Sequence, residues 1–352
     1  MNTIRVGNRV VGLNQPSFLI AEIGLNHNGS YELATESIEA AAKAGADAVK
    51  FQNYRTEDFL SDRTLTYTYI SEGREVTESQ WDMFKRCEPR AEWLPRLMNF
   101  CQERGIVFFS TPTSKDGVDD LVKVNVSLLK NGSDYLTNLP LLEVMGRTGV
   151  PVIVSTGMAD VLEVDDAVAA VGRGNSPLVL MHCTSSYPTL NENVNLRRMM
   201  TMRDRYRALV GFSDHTEGWI AAVQAVTMGA CMVEKHFTLD HNLPGPDHWF
   251  SSTPAEFAEL VRQVRSAEQR LGSHVIAPAA VEKVGREQYR VSMVAAEDLS
   301  SGTIVTERHV MLRRPGTGIL ARDMARYLGQ PIVKSIERGT PLRPEDFATT
   351  DQ

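Results

Sequence analysis

Two pairs of polar residues in this sequence combine a histidine with a second functional group two positions earlier. They are Ser213 with His215 in ALVGFSDH (208–215) and Glu234 with His236 in CMVEKHF (231–237). Side chains two apart in a strand lie on the same face, so each pair would point one way. Two imidazoles at neighbouring strand ends could bind one divalent cation, and a mixed nitrogen and oxygen site with room for water suits Mn²⁺, Mg²⁺ or Co²⁺. The spacing alone also allows hydrogen-bonding or acid–base roles.

Two lysines, Lys50 and Lys130, each end an apolar run. Burying an ammonium group without a partner is costly, and an anionic ligand would supply that partner. A structural ion pair, for instance between Lys50 and Glu22, is the alternative, and Schiff-base chemistry on one lysine is a third possibility. Hydroxyl groups at neighbouring run ends could donate hydrogen bonds to phosphate or carboxylate oxygens; they are Thr111, Ser133, Ser155 and Ser213.

The elements that must position these groups are short apolar runs that alternate with amphipathic segments. The runs cover residues 18–24, 46–52, 105–112, 127–133, 151–157, 177–185, 208–215 and 231–237, and the clearest helical segments cover 31–45, 163–173 and 253–273. Continuous Val, Ile and Leu runs are typical of strands buried on both faces. Eight such units over about 250 residues predict a TIM barrel, an α/β fold. A doubly wound open sheet is the competing layout.

In a barrel, the residues at the carboxyl ends of the strands face the active site. Here those ends are polar throughout: Glu22, Lys50 with Gln52, Thr111, Lys130 with Ser133, Ser155, Ser185 with Tyr187, Ser213 with His215, and Glu234 with His236. Residues 53–76, which are polar and rich in Tyr and Thr, are expected to form an extended loop after the second strand. Such loops either shape the active site or lie on the surface.

The pattern of residue types changes near the end of the sequence. Residues 1–273 are predicted to form the barrel, 274–289 a linker, and 290–352 a second domain of short strands and turns marked by Ser-Gly and Pro-Gly pairs.

Composition limits the class of protein. The chain has 352 residues, 42% of them hydrophobic and 23% charged, and a formal net charge of -7, which indicates a globular protein without a basic surface for nucleic acid. No signal peptide and no membrane span are evident. The four cysteines, Cys87, Cys101, Cys183 and Cys231, form no close pair and are expected to be buried free thiols. A reducing cytoplasm is the expected location.

Ten segments, taken together and in order, resemble the sialic acid (N-acetylneuraminate or nonulosonate) synthase family over nearly the whole chain. They are AEIGLNHNG (21–29), ADAVKFQ (46–52), FSTP (109–112), KNGSD (130–134), VSTGM (154–158), HCTSSYPT (182–189), GFSDHTEG (211–218), EKHFTLD (234–240), GPDHWFS (245–251) and RRPGTGI (313–319). The combination of SDH, EKHF and RPGTGI is the most specific part of this resemblance.

The resemblance implies a (β/α)8 TIM barrel followed by a small antifreeze-like (SAF, β-clip) domain. It also implies a homodimer in which the small domain of one subunit caps the barrel of the other. Such enzymes condense phosphoenolpyruvate with N-acetylmannosamine or a close acetamido sugar and water, and release phosphate. A divalent metal, most often Mn²⁺ with Mg²⁺ or Co²⁺ as alternatives, is the implied cofactor.

By the same resemblance, individual residues acquire expected roles. Metal binding falls to His215 and His236, which with Glu22 and Glu234 are the implied catalytic residues. Phosphoenolpyruvate is expected to contact Lys50, Thr111, Lys130, Ser133, Ser155, Ser185, Tyr187 and Ser213. The sugar is expected to contact Gln52, Asp134, Tyr187, Asp247 and, from the partner's small domain, the equivalent of Arg314.

Two departures from the family pattern concern the sugar. Some bacterial members carry Glu where this chain has Asp134, while others have Asp, and Asn is frequent at the position of Ser185. The NHNG sequence at 26–29 is nearer to neuraminate and legionaminate synthases than to pseudaminate synthases. N-acetylmannosamine is the first expected acceptor, and 2,4-diacetamido-2,4,6-trideoxymannose, which gives N,N'-diacetyllegionaminate, is the alternative. A Schiff-base sialate lyase and a non-catalytic carbohydrate-binding protein are the rival functions.

Overall fold

The computed structural model describes residues 3–348 and contains a closed barrel of eight parallel strands. The strands of the described residues, inside and outside the barrel, are in chain order β1 (Thr3–Val6), β2 (Arg9–Gly12), β3 (Phe18–Gly24), β4 (Ala48–Asn53), β5 (Thr66–Ser71), β6 (Arg74–Ser79), β7 (Val107–Pro112), β8 (Leu129–Lys130), β9 (Val152–Ser155), β10 (Leu178–Cys183), β11 (Leu209–Asp214), β12 (Met232–His236), β13 (Ser292–Ala295) and β14 (Val310–Arg313). The barrel runs from β3 through β4 and β7 to β12, and β12 pairs with β3 to close it. The predicted TIM barrel is confirmed, and the open sheet is excluded.

The helices lie between these strands. They are α1 (Tyr31–Lys43), α2 (Thr56–Phe59), α3 (Gln80–Cys87), α4 (Trp93–Glu103), α5 (Lys115–Lys123), α6 (Leu139–Arg147), α7 (Val161–Gly172), α8 (Arg197–Tyr206), α9 (Ile220–Thr227), α10 (Pro254–Leu271) and α11 (Lys283–Tyr289). Several begin at a residue whose side chain accepts a hydrogen bond from the first turn, as a helix start requires. Asp160 and Thr253 form complete capping boxes with Glu163 and Glu256.

Burial explains why the apolar runs become barrel strands. Every residue of β3, β9, β11 and β12 is buried, because helices cover the outside and side chains fill the inside. An inner core contains Phe18, Ile20, Phe109 and Met232, and it also takes in Ile4, Val6 and Val11 of the β1–β2 hairpin. The hairpin therefore closes the amino-terminal end of the barrel, and the opposite end is left for a ligand.

Residues 53–76 are not the expected extended loop. They contain helix α2 and most of an antiparallel hairpin, β5–β6, whose register pairs Ser71 with Arg74. The turn residues Glu72 and Gly73 both have positive φ, at 51° and 73°, as a two-residue type I′ turn requires. Alternating Tyr and Thr in TYTYIS suits a strand with one exposed face, which is the pattern that the loop interpretation overlooked.

The expected strand over 127–133 is also shorter, since β8 contains only Leu129 and Lys130. After Lys130, the side chain of Asn131 takes over hydrogen bonds to the backbone that a longer strand would make. Its Oδ1 accepts from the backbone N–H of Ser155 at 2.8 Å, and its Nδ2 donates to the carbonyl of Gly132 at 2.7 Å. The chain can therefore leave the barrel early without leaving buried backbone groups unpaired.

The chain divides into two compact units, residues 1–272 and 273–352. In the second unit, β13 and β14 pair antiparallel, and isolated bridges such as Val294 with Pro341 extend this short sheet. Its core includes Met293, Val305 and Phe347. Helix α11 occupies the end of the segment that was expected to be a linker.

Two further expectations concern single residues and segments. The four cysteines are free and buried, as predicted. No helix within residues 3–348 has the length and apolar character needed to cross a bilayer.

Candidate active site

A cavity of about 520 Å³ opens at the carboxyl ends of the barrel strands. All the site residues that the sequence predicted within the barrel unit line it: Glu22, Lys50, Gln52, Thr111, Lys130, Ser133, Asp134, Ser155, Ser185, Tyr187, Ser213, His215, Glu234, His236 and Asp247. The remaining predicted site residue, Arg314, belongs to the second unit and stays a prediction.

The floor of the cavity is a buried network of two lysines and two glutamates. Nζ of Lys50 lies 2.9 Å from Oε2 of Glu22 and 3.9 Å from Oε1 of Glu234. Nζ of Lys130 lies 3.4 Å from the same Glu234 oxygen. The four side chains are at most 5% exposed, so charges that would be expensive one at a time offset each other.

This network shifts the pKa values of its two carboxyl groups in opposite directions. Burial raises the pKa of Glu22, and the nearby Lys50 only partly opposes it. Burial also acts on Glu234, but Lys130, Lys50 and His215 outweigh it, so the pKa of Glu234 is lowered. The pKa of Lys50 is raised because its two carboxylate neighbours outweigh the effect of burial. The ammonium form of Lys50 is therefore the stable one.

Hydroxyl groups line the same cavity as the lysines. Nζ of Lys50 donates to Oγ1 of Thr111 at 3.2 Å, and the Ser213 hydroxyl donates to Glu234 at 3.1 Å. The hydroxyls of Ser133 and Ser155 lie 2.9 Å apart, and Ser133 also accepts from the backbone N–H of Gly157. Cations and hydroxyl donors that line one cavity are the groups that could bind an anion with several oxygen acceptors.

The two imidazoles lie side by side at the cavity, with ring centroids 5.3 Å apart. Nδ1 of His215 donates to the carbonyl of Thr184 at 2.9 Å, so Nε2 carries the lone pair that could bind a metal when this ring is neutral. Nδ1 of His236 is buried without a hydrogen-bond partner and lies 3.7 Å from Oδ2 of Asp247. Burial, followed by the charge of His215, lowers the pKa of His236 well below its ordinary value. A neutral imidazole is the form that binds metals.

A metal held here would have few ligands from the protein. No three side chains of His, Cys, Asp or Glu within residues 3–348 are grouped to hold a metal ion. A closed structural zinc site of four protein ligands is therefore not formed by the described part of the chain. The histidine pair fits an ion whose other positions are filled by water or substrate oxygens.

An ion pair between Asp214 and Lys235, on the outer face of β11 and β12, supports the strand ends that carry the two histidines. Nζ of Lys235 donates to Oδ2 of Asp214 at 3.0 Å and to the carbonyl of Thr216 at 2.6 Å. Because side chains alternate along a strand, this buried pair faces away from the cavity while His215 and His236 face into it. The ion pair locks together the two strand ends that carry the imidazoles.

Asp247 and Tyr187 lie beside the histidines. The Tyr187 ring centroid is 4.2 Å from that of His215 and 5.6 Å from that of His236. Burial, reinforced by the charge of Glu22, raises the pKa of Asp247 to about 7. Gln52 Nε2 donates to Oε1 of Glu22 at 3.5 Å. These groups form the polar surroundings of the imidazoles.

One cavity residue without a predicted role is Cys183. Its sulfur lies 3.9 Å from Nδ1 of His215. Burial would raise the pKa of this thiol, but the contact with His215 and the charge of Lys130 outweigh burial and lower it to about 7. The apolar run around Cys183 indicated burial correctly, but the position of the cysteine at the end of β10 was the signal for a place in the cavity.

A second group without predicted roles is an apolar wall on one side of the cavity. It consists of Leu25, Tyr54, Phe59, Tyr67, Met83 and Phe84. These side chains come from the loop after β3, the segment after β4, strand β5 and helix α3. Because residues 53–76 were interpreted as a loop, the contribution of the β5–β6 hairpin to the site was not assigned to particular residues.

Family models agree with this division of the chain. Residues 37–276 match the NeuB family, and residues 290–348 match the SAF domain. The chain is 40% identical to uncharacterized protein MJ1065 of Methanocaldococcus jannaschii over 99% of both chains. It is 38% identical to the N,N'-diacetyllegionaminic acid synthase of Legionella pneumophila over 94% of both.

A solved structure supports the same assignment. The N-acetylneuraminic acid (sialic acid) synthetase of Leptospira borgpetersenii is 34% identical, with a TM-score of 0.73 over 81% of this chain and 95% of that one. The two synthases among these relatives are named for different sugar acids, so they agree on the class of enzyme and differ in the sugar. This chain, a TIM barrel followed by a SAF domain, therefore belongs to the NeuB family of nonulosonic acid synthases.

Proposed function

We propose that this enzyme condenses phosphoenolpyruvate with a 2-acetamido sugar of the mannose type and water, and releases phosphate. The acceptors considered are N-acetylmannosamine and 2,4-diacetamido-2,4,6-trideoxymannose. The observation that carries the proposal is the arrangement of one cavity, in which buried lysines and hydroxyls adjoin a pair of histidines. The lysines and hydroxyls suit the anionic groups of phosphoenolpyruvate. A sugar aldehyde needs an electrophilic partner, such as a metal ion that the two histidines could hold.

Phosphoenolpyruvate would lie on the lysine floor. Its carboxylate and phosphate groups would be offset by Lys50 and Lys130, and their oxygens would accept from Thr111, Ser133 and Ser155. Ser185, Tyr187 and Ser213 complete the expected contacts of this substrate. Placing fixed charges where the reaction needs them, in a site without bulk water, is usually the largest catalytic contribution.

The metal would be held by His215 and His236, and Mn²⁺ is the proposed ion, with Mg²⁺ and Co²⁺ as alternatives. Support comes from the partnerless Nδ1 of His236 and from the carbonyl of Thr184, which fixes the ring of His215 as outer hydrogen bonds fix metal-binding histidines. When bound, such an ion would act as a Lewis acid toward the sugar aldehyde or would hold a water molecule.

In the reaction, carbon 3 of phosphoenolpyruvate attacks the aldehyde carbon of the open-chain sugar, and a new C–C bond forms. Positive character develops at carbon 2, where water adds to give a tetrahedral intermediate. This intermediate loses phosphate when the bond between carbon 2 and the bridging oxygen breaks. Lys50 and Lys130 stabilise the anionic groups throughout, and proton transfers fall to the carboxyl groups at the cavity, Glu22, Glu234 and Asp247.

The sugar would lie beside Gln52, Asp134, Tyr187 and Asp247. We also propose a homodimer in which the second unit of one subunit covers the barrel of the other, so that Arg314 reaches the N-acetyl group. Support for a cover comes from apolar side chains that are exposed near the mouth of the barrel: Met158 at 71%, Leu162 at 67% and Leu190 at 59%. Met158 and Leu162 follow the carboxyl end of β9, and Leu190 follows that of β10; where exposed apolar side chains form a patch, they commonly mark an interaction surface.

A Schiff-base lyase is less compatible with the floor. Its nucleophile would be a neutral lysine amine, whereas Lys50 lies against two carboxylates that stabilise its ammonium form. A non-catalytic carbohydrate-binding protein would have no use for buried charges in this number, since each is costly to desolvate.

The proposal is tested by measuring phosphate release from phosphoenolpyruvate with and without an acetamido sugar. We expect phosphate only when both substrates and a divalent cation are present, with one sugar acid formed per phosphate. A borohydride-trapped adduct of pyruvate on a lysine would instead establish the lyase. Binding of a sugar without any turnover of phosphoenolpyruvate would establish the binding protein.

A further inference from the structure

The apolar wall lies next to the polar end of the cavity. Tyr54 and Tyr67 of the wall line the same cavity as Asp247. The backbone N–H of Gly245 donates to the Ser71 hydroxyl at 3.1 Å, which ties the β5–β6 hairpin to the loop that carries Asp247. A sugar whose reacting end is at the histidines and Asp247 would therefore place other substituents against this wall.

The side chains of the wall pack against one another. The rings of Phe59 and Phe84 meet edge to face with centroids 4.9 Å apart, and the Tyr54 ring meets both, at 5.5 and 5.7 Å. The Tyr54 hydroxyl donates to the backbone carbonyl of Phe84 at 2.9 Å. Since this hydroxyl is engaged with the backbone, the tyrosine presents its ring and not a hydrogen-bonding group. A pre-formed apolar surface favours an apolar substituent.

The charges of the cavity argue against a second phosphate. In the described part of the chain, the basic side chains that line the cavity are Lys50 and Lys130, together with the two histidines. Both lysines contact Glu22 or Glu234 on the floor, where phosphoenolpyruvate is proposed to bind. Arg86 and Lys85, which follow the hairpin, pair with Glu78 and Glu57 outside the cavity lining. Among the described side chains of the barrel unit, a phosphate on the sugar would find no counter-charge at the wall.

We propose that the acceptor is an unphosphorylated 6-deoxy sugar with a second acetamido group, of the type 2,4-diacetamido-2,4,6-trideoxymannose. Its methyl groups would contact the apolar wall, and the amide of Gln80, which also lines the cavity, can hydrogen-bond an acetamido group. This inference rests on the proposed condensation and selects the second of the two acceptors that the sequence resemblance left open. N-acetylmannosamine would instead place a hydroxymethyl group against aromatic and aliphatic side chains.

The first test compares three acceptors on the wild-type enzyme, by phosphate release at saturating phosphoenolpyruvate. We expect kcat/KM for the diacetamido trideoxy sugar to exceed that for N-acetylmannosamine by at least about 10-fold, the size of effect that one apolar group produces in a fitted pocket. N-acetylmannosamine 6-phosphate should be the poorest substrate. Equal or greater kcat/KM for either of the other sugars overturns the inference and leaves the condensation intact. No phosphate release with any acceptor overturns the proposed function itself.

The second test asks whether the wall makes the selection. Met83→Gln keeps the length of a wall side chain and adds a polar amide, so it should reduce the preference for the diacetamido sugar toward equality. Met83→Leu should keep the preference. Met200→Gln, at a methionine of α8 that is 41% exposed, is the matched control and should also keep it. An unchanged preference in a folded Met83→Gln enzyme overturns the inference; if that variant does not fold, the wild-type comparison still decides.

Discussion

The ammonium group of Lys50 lies 2.9 Å from the carboxylate of Glu22, at the adjoining ends of β4 and β3. The sequence left an ion pair and an anionic ligand as alternatives for this lysine, and the ion pair is present. The ion pair does not exclude an anionic ligand. Lys130 and Glu234 lie beside the pair, so a second ammonium group is present, and the hydroxyl of Thr111 accepts a hydrogen bond from Nζ of Lys50. The pair holds Lys50 charged and oriented on the floor of the cavity.

Replacing that charge should weaken phosphoenolpyruvate binding. Lys50→Met should raise the Kd for phosphoenolpyruvate about 10- to 150-fold, which corresponds to the loss of about 1.5–3 kcal/mol from a charged hydrogen bond. Calorimetric titration measures this directly. Lys43→Met, at a lysine whose side chain is 75% exposed on α1, is the control and should leave the Kd unchanged. An unchanged Kd in Lys50→Met would remove this lysine from the proposed anion site.

Removing either imidazole should abolish both metal binding and condensation. For His215→Ala and His236→Ala, equilibrium dialysis against Mn²⁺ should show loss of the bound ion, because only two protein ligands are proposed to hold it. His274→Ala, at an exposed histidine of the second unit, should bind the metal normally. Full wild-type activity in the presence of a strong chelator would refute the metal proposal, whatever the variants show.

Arg314→Ala should affect the sugar far more than phosphoenolpyruvate. We expect KM for the sugar to rise about 10-fold or more, as expected for loss of a charged hydrogen bond, while KM for phosphoenolpyruvate changes little. Its neighbour Arg313 is also exposed, and Arg313→Ala is the matched control. Equal changes in the two KM values would count against a contact between Arg314 and the sugar.

The capped dimer makes a separate prediction for mixed subunits. His215→Ala and Arg314→Ala should each impair the enzyme, but a heterodimer of the two contains one site with both residues intact. Refolding or exchanging an equal mixture should therefore restore part of the activity, measured as phosphate release. A mixture no more active than the two separate variants, although mass spectrometry detects heterodimers, would show that Arg314 acts within its own subunit or not at all.

Acid should destabilise the protein through a buried histidine outside the proposed metal pair. Burial, followed by the charge of His248, lowers the pKa of His27 from 6.5 to about 4. Between these values the unfolded chain binds a proton that the folded chain does not, so this stability is present above pH 6.5 and is lost as the pH falls toward 4. For His27 the loss between pH 8 and pH 5 should be about 2 kcal/mol.

Urea unfolding at the two pH values measures this effect. In His27→Phe, which keeps a ring against Phe51 and Trp93, the difference in unfolding free energy between pH 8 and pH 5 should shrink by about 2 kcal/mol. Comparing differences removes the separate cost of losing the hydrogen bond from the Gly29 N–H to Nδ1 of His27. His274→Gln is the control. An unchanged pH dependence in His27→Phe would show that folding does not lower the pKa of this imidazole.

The barrel and the floor of its cavity could be predicted because both follow from local pattern. Buried parallel strands need continuous apolar runs, and alternation along β11 and β12 places His215 and His236 inward while Asp214 and Lys235 face outward. Once the strands were placed, the polar residues at their carboxyl ends had to meet. For the same reason the pairing of Lys50 with Glu22 could be anticipated from adjacent strand ends.

The apolar wall could not be predicted in the same way. Its residues come from four separate segments, and only the β5–β6 hairpin and helix α3 bring Tyr67 and Met83 to the cavity. The hairpin pattern is weak, since its exposed face carries Thr, Glu and Arg side chains as a loop would. Residue types alone also do not distinguish a buried thiol such as Cys183 in the core from one at the end of a strand beside His215.

The central claim is that phosphoenolpyruvate reacts at carbon 2 and loses phosphate by cleavage of its C–O bond. Mass spectrometry of the products from phosphoenolpyruvate labelled with heavy oxygen in the bridging position tests it most directly, with the acetamido sugar present. The account predicts that all the label appears in inorganic phosphate and none in the sugar acid. Label retained in the sugar acid, or phosphate released at the same rate without any sugar, would contradict it.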